Sequence, residues 1–137
     1  MASERPLTDM AAVLVIDDDG AVRQLLKLIL QQKGYEVLLA SNGLEGLMVY
    51  TTYHSRIDLV LTDVDMPEMN GIELANRVRD REPSKNILLM SGRPVGDPNR
   101  PDVPTLAKPF RPDQLIEAVE AALGAAGGRG PGARGRT

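Results

Sequence analysis

The chain has 137 residues, of which 42% are hydrophobic and 26% charged, with a net charge of -3. These values suit one soluble globular domain and supply no positive field for nucleic acid or a membrane surface. The absence of Cys excludes a disulfide framework and thiolate metal sites, and the absence of Trp beside a single Phe makes the expected core aliphatic.

No apolar run approaches the ~20 residues of a membrane span. The start, MASERPLTDM, lacks the basic and apolar regions of a signal peptide, so the cytoplasm is the expected location. Residues 1–11 are expected to be disordered and 12–123 to form the folded domain.

The first predicted element is the β-branched run Val13-Leu14-Val15-Ile16, which ends in three Asp. A short, continuous apolar run bounded by turn residues reads as a strand buried on both faces. Val22, Leu25, Leu26 and Ile29 follow at helical spacing, and Gly34 supplies a stop. Tyr35 to Ala40 reads as a second strand. Ser41 is placed to cap a helix with Leu44, Leu47 and Met48 on its apolar face.

Ile57 to Thr62 is a third strand, with Asp63 at its tip. Pro67 and Gly71 break the chain after it. Asn70 and Glu73 resemble a capping box before a helix that presents Leu74, Ala75 and Val78. Ile87 to Met90 is a fourth strand, ending at Ser91-Gly92. The segment GRPVGDPNRPDVP carries prolines at 94, 98, 101 and 104, which disfavour helix. A loop or one short turn is expected there. Val103 to Ala107 is a fifth, shorter strand that ends at Lys108-Pro109. Pro112 suits the first turn of a last helix burying Leu115, Ile116, Val119 and Leu123.

The remaining residues, 124–137, are rich in Gly and Pro, with three Arg and no acid. They lack the apolar surface needed to fold and are expected to be disordered, with weak contact to an acidic partner as the lesser reading. Strands alternating with helices imply an α/β fold, a parallel sheet covered on both faces.

In such sheets, ligands sit beyond the carboxyl ends of the strands. Four of those ends are polar here: Asp17, Asp18 and Asp19 after the first, Asp63 after the third, Ser91 after the fourth and Lys108 after the fifth. The coincidence across four strands is specific where any single one is weak. Two carboxylates ~4 Å apart repel by about 4 kcal/mol at an effective dielectric of 20. A hard divalent cation relieves that repulsion, and Mg2+ with oxygen ligands and retained waters is the natural fit. An oxygen-bound metal, a lysine and a hydroxyl suit a phosphoryl group, with Asp63 as acceptor.

At this point "VLVIDDD", "LVLTDVDMPEMNG", "LLMSG" and "LAKPF" resemble the receiver domain of two-component response regulators. The resemblance runs from about Ala12 to Leu123. It implies a flavodoxin-like, three-layer sandwich with a five-stranded parallel sheet in order 2-1-3-4-5, the fourth helix being short or missing. It implies phosphorylation of Asp63 by a histidine kinase or histidine phosphotransfer protein, switching contact with a downstream protein target. By position, Asp18 and Asp63 would bind Mg2+ directly, Asp17 mostly through a water, and the Asp65 backbone carbonyl would complete the set. Lys108 would contact the phosphoryl oxygens and Ser91 would swing toward them as the switch. Pro109 matches a cis peptide after the family's lysine. The chain would assist its own phosphorylation and dephosphorylation and otherwise not be an enzyme.

Thr105 stands where the family usually has Tyr or Phe, the Ser91-to-Lys108 segment is short, and Asp65 adds a carboxylate two residues past the acceptor. No output domain follows, so a stand-alone receiver is expected. Asp19 is read as a helix cap, His54 as an exposed residue without a phosphate role, and Met66 and Met69 as packing or partner contacts. Two rivals remain. "VLVIDDDG" also resembles the opening of haloacid dehalogenase-like phosphatases, with Asp17 as nucleophile and Asp19 as acid/base, but leaves "TDVDMPEMNG" unexplained. A receiver-like interaction module that works without phosphate is the other.

Overall fold

The computed structural model describes residues 10–93 and 103–124. In chain order the elements are β1 (Ala12–Ile16), α1 (Gly20–Gln32), β2 (Glu36–Ala40), α2 (Gly43–Tyr53), β3 (Leu59–Asp63), α3 (Gly71–Arg81), β4 (Asn86–Ser91), β5 (Thr105–Ala107) and α4 (Pro112–Gly124). The five strands pair in parallel in the order β2-β1-β3-β4-β5. This is the α/β sheet with the strand order that the motifs imply. No helix among the described residues is long and apolar enough to cross a membrane.

The alternation of side chains along the strands divides the core into two clusters. Val13, Val15, Leu59, Leu61, Leu88 and Met90 face α1 and α4, where Leu26, Leu30, Leu115, Val119 and Leu123 meet them. Leu14, Ile16, Val60, Ile87 and Leu89 face α2 and α3, where Tyr50, Leu74 and Val78 pack. Helices therefore cover both faces, which explains why β1 and β3 read as continuous apolar runs. Each fully buried Leu or Ile contributes roughly 1.5–3 kcal/mol.

Gly34 takes φ +91° just after α1, the left-handed turn for which glycine is suited. Pro112 opens α4, and Leu115, Ile116, Val119 and Leu123 are buried as expected. Two helix faces differ from the sequence reading. On α1, Leu26 and Leu30 are buried while Leu25 is 56% exposed. On α2 the buried residues are Gly43, Gly46 and Tyr50, while Leu44 and Met48 are 54% and 69% exposed. The reason is close approach. A Cβ on Gly46 would lie 2.6 Å from Ile16 Cδ1, and one on Gly43 2.7 Å from the Met69 carbonyl. The glycine side of the helix is the side that packs inward, against β1 at Gly46 and against the loop after β3 at Gly43.

The cap of α2 is Asn42 rather than Ser41. Asn42 Oδ1 accepts the Glu45 N–H at 2.7 Å, and Ser41 instead donates its N–H and hydroxyl to Glu45 Oε1. At α3, Asn70 caps as expected, accepting the Glu73 N–H at 2.8 Å. Glu73 pairs with Arg77.

Some sequence expectations fall elsewhere. The N-terminal segment up to residue 9, the tail from 125 and residues 94–102 of the proline-rich connection lie outside the described residues. No helix lies in the described flanks of that connection.

Candidate functional site

The parallel register brings the polar strand ends together. Ile16 is level with Thr62, Asp63 with Met90, and Ser91 with Ala107. The next residue after β1 is Asp17, and the next after β5 is Lys108. Asp17, Asp63 and Ser91 are all buried although polar.

Carboxylate oxygens of Asp17, Asp18 and Asp63 lie within 4.8 Å of one another, with Asp18 exposed and the other two buried. Lys108 Nζ donates to Asp63 Oδ1 at 3.0 Å and lies 3.7 Å from Asp17 Oδ2. Asp17 Oδ1 accepts the Asp19 N–H at 2.9 Å. Asp17 Oδ2 is buried and has no hydrogen-bond partner. A buried charged oxygen left in that state is costly, and it points to a cation. Three hard oxygen donors, one of them orphaned, fit a small divalent ion that keeps several waters, as Mg2+ does.

The electrostatics agree with that geometry. Burial, aided by the Asp63 charge, pushes the Asp17 carboxyl above its ordinary value, against the Asp19 amide. Burial works against the Lys108 charge, but its hydrogen bond to Asp63 and the charges of Asp63 and Asp17 outweigh it and hold Lys108 above its ordinary value.

Backbone geometry shapes the loop after Asp63. The Gly71 N–H donates to the Val64 carbonyl at 2.9 Å. A Cβ at Gly71 would lie 2.3 Å from the Asp63 carbonyl oxygen, so α3 begins directly against the strand tip. Between them Glu68 takes φ +69°. Met66 and Met69 are buried in the core beneath this loop.

Other residues take the places the sequence suggests or different ones. Asp19 caps α1 through the Ala21 and Val22 amides. The Lys108-Pro109 peptide is cis. Thr105 is exposed on β5. His54 is half-buried at the C-terminal end of α2, 3.8 Å from Glu82, and takes no part in the carboxylate cluster. Ser91 Oγ donates to the Arg93 carbonyl at 2.8 Å and accepts the Arg93 N–H at 3.2 Å.

Two participants, Arg23 and Arg93, escaped the sequence reading, and Gly71, read there only as a turn residue, has a second role. Arg23 donates to the Asp17 carbonyl at 2.7 Å, buttressing the β1 exit. Arg93 donates to Asp65 Oδ1 at 2.6 Å. Gly71 serves close packing as well as a turn. The Arg93 contact had a signal: Arg93 and Asp65 each stand two residues past neighbouring strand tips.

Residues 13–100 match the model of the response regulator receiver domain. The response regulator receiver protein CpdR of Brucella abortus is 34% identical over 123 residues, covering 85% of this chain and all of that protein. The sensor kinase CckA of the same organism is 33% identical over 123 residues, which cover 85% of this chain and 13% of the kinase. Among solved structures, the response regulator protein TrrA of Thermotoga maritima, in complex with Mg(2+)-BeF, superposes with a TM-score of 0.76 at 33% identity. That match covers 82% of this chain and 99% of TrrA.

Proposed function

The chain belongs to the response regulator receiver domain family, and on that premise we propose that Asp63 is its phosphoryl acceptor in a two-component pathway. The observation that carries this reading is the convergence on Asp63 of Lys108 at 3.0 Å and the carboxylates of Asp17 and Asp18.

In the step proposed, an Asp63 carboxylate oxygen attacks the phosphorus of a phosphohistidine. The N–P bond breaks, and the imidazole leaves with the electron pair and takes up a proton. Asp17, Asp18, Asp63 and the Asp65 carbonyl would hold Mg2+, which neutralises charge on the transferring group. Lys108 already lies against Asp63 and offsets charge on the phosphoryl oxygens. Gly71 and Pro67 fix the loop so that the carboxylate keeps its place. Ser91 is the switch: its hydroxyl turns to the new phosphoryl group and its old partners are released. The proposed donor is a histidine kinase or histidine phosphotransfer protein, consistent with the likeness to part of CckA. The phosphorylated surface then engages a protein target. Residues 12–123 are proposed as the working domain, acting in the cytoplasm without turning over an external substrate.

The phosphatase reading loses its acid/base. Asp19 is committed to the α1 amides at 2.9 and 3.2 Å, and is exposed there.

Intact mass after incubation with acetyl phosphate and Mg2+ tests the reading. Wild type is expected to gain one phosphoryl group, which a chelator or Asp63→Asn prevents. No gain from acetyl phosphate or from a phosphohistidine donor would overturn it.

A further inference from the structure

We propose that the Asp65–Arg93 ion pair is a latch that holds Ser91 in its resting position until Asp63 is phosphorylated. The inference rests on the reading of Asp63 as acceptor and Ser91 as switch.

Ser91 ends β4, next to the strand that Asp63 ends. Its hydroxyl is doubly engaged by the backbone of one residue, donating to the Arg93 carbonyl and accepting the Arg93 N–H. Reorienting the hydroxyl toward a group on Asp63 requires both bonds to break. Rotation of the Ser91 side chain about χ1 breaks both, and the resting rotamer is favoured for as long as the Arg93 backbone stays in place to bond it. That backbone is anchored through its side chain, because the Arg93 guanidinium donates to Asp65 at 2.6 Å. Asp65 stands two residues past Asp63, on the loop that Gly71 holds against the strand tip. The pair therefore ties the exits of β3 and β4 together across the mouth of the site. One closed path runs from Asp63 to Asp65, to Arg93, and back through Ser91.

Both side chains are more than half exposed, so the restraint is weak. Weakness suits a latch: it biases a two-state equilibrium that phosphorylation must still overcome. Exposed pairs of this kind shift an equilibrium by about twofold to fivefold. The bias has a direction. Removing the latch makes the phosphoryl-bound arrangement easier to reach.

The test is calorimetric binding of fluoroberyllate with Mg2+, a tetrahedral phosphoryl mimic, to the full chain. The variant is Asp65→Asn with Arg93→Ala, which removes one charge of each sign and leaves net charge unaltered. Tightening by about twofold to fivefold relative to wild type is expected. In a Ser91→Ala background the same two substitutions are expected to change nothing, because the latch acts through that hydroxyl. If wild type binds, Asp63→Asn does not, and the double variant binds equally or more weakly, the latch is overturned while the acceptor reading stands. Tightening that persists without the Ser91 hydroxyl also overturns it, since the pair would then act by another route. If neither wild type nor the double variant binds, the acceptor reading fails and the latch falls with it.

Discussion

The Lys108 ammonium lies 3.0 Å from Asp63 Oδ1, reaching across β4, which separates their two strands. It is the counter-charge to two buried carboxylates. Lys108→Met leaves Asp63 and Asp17 facing each other uncompensated. The metal-free protein is expected to lose about 1–3 kcal/mol in urea unfolding, with part of the loss restored by Mg2+. An unchanged unfolding midpoint without Mg2+ would contradict this account of the cluster.

Asp17→Asn acts in the opposite sense. It removes a like charge beside Asp63 from a buried carboxylate whose Oδ2 has no hydrogen-bond partner and only Lys108 at 3.7 Å. The metal-free variant is expected to be more stable than wild type by something on the order of 1 kcal/mol. It is also expected to gain little or nothing from added Mg2+, while wild type rises with Mg2+ concentration. Thermal unfolding across a Mg2+ series measures both effects.

Two glycines separate close packing from backbone strain. At Gly71 a Cβ meets the Asp63 carbonyl at 2.3 Å, so Gly71→Ala is expected to cost about 1–3 kcal/mol or more and to displace the acceptor. At Gly34 a Cβ meets nothing within 4 Å, and only the φ of +91° opposes it. Gly34→Ala is expected to cost about 1–2 kcal/mol and leave phosphoryl acceptance intact. Urea unfolding beside the intact-mass assay reads both.

Tyr35 supplies the pH prediction. Burial, and then the Glu120 charge, push its phenol from 10.0 up to about 12. The folded state holds this proton more tightly than the unfolded state. Stability from this group is therefore complete below pH 10 and falls as pH rises from 10 toward about 12. The loss is expected to reach up to about 3 kcal/mol, and Tyr35→Phe is expected to lack it. Urea midpoints of the two proteins between pH 9 and 12 are the comparison, 9 being roughly one unit below the ordinary phenol value.

The sheet was legible because its strands are buried on both faces. Val13 to Ile16 and Leu59 to Leu61 are apolar without interruption; the first run ends directly in Asp17, and the second reaches Asp63 after the single buried Thr62. The site was legible for a related reason, since each polar residue stood at the end of such a run. The helix faces were harder. Hydrophobic periodicity assigned α2 the face with Leu44 and Met48, yet the helix approaches β1 through Gly46 and the loop after β3 through Gly43. Glycine has no apolar side chain to mark burial, so close packing leaves no hydrophobic signal. Arg23 and Arg93 were hidden for another reason. Their contacts depend on neighbouring loops, and sequence spacing alone does not say which arginine meets which oxygen. Asn42 displaced Ser41 as the cap by a single position, the usual scale of uncertainty at a helix end.

The most direct test of the central claim is to locate the phosphoryl group. The chain would be treated with acetyl phosphate and Mg2+, the acyl phosphate reduced with borohydride, and the peptides mapped by mass spectrometry. The account predicts conversion of Asp63 to homoserine, absent without acetyl phosphate and absent when Mg2+ is chelated. Conversion at Asp17 with Asp63 untouched would contradict it.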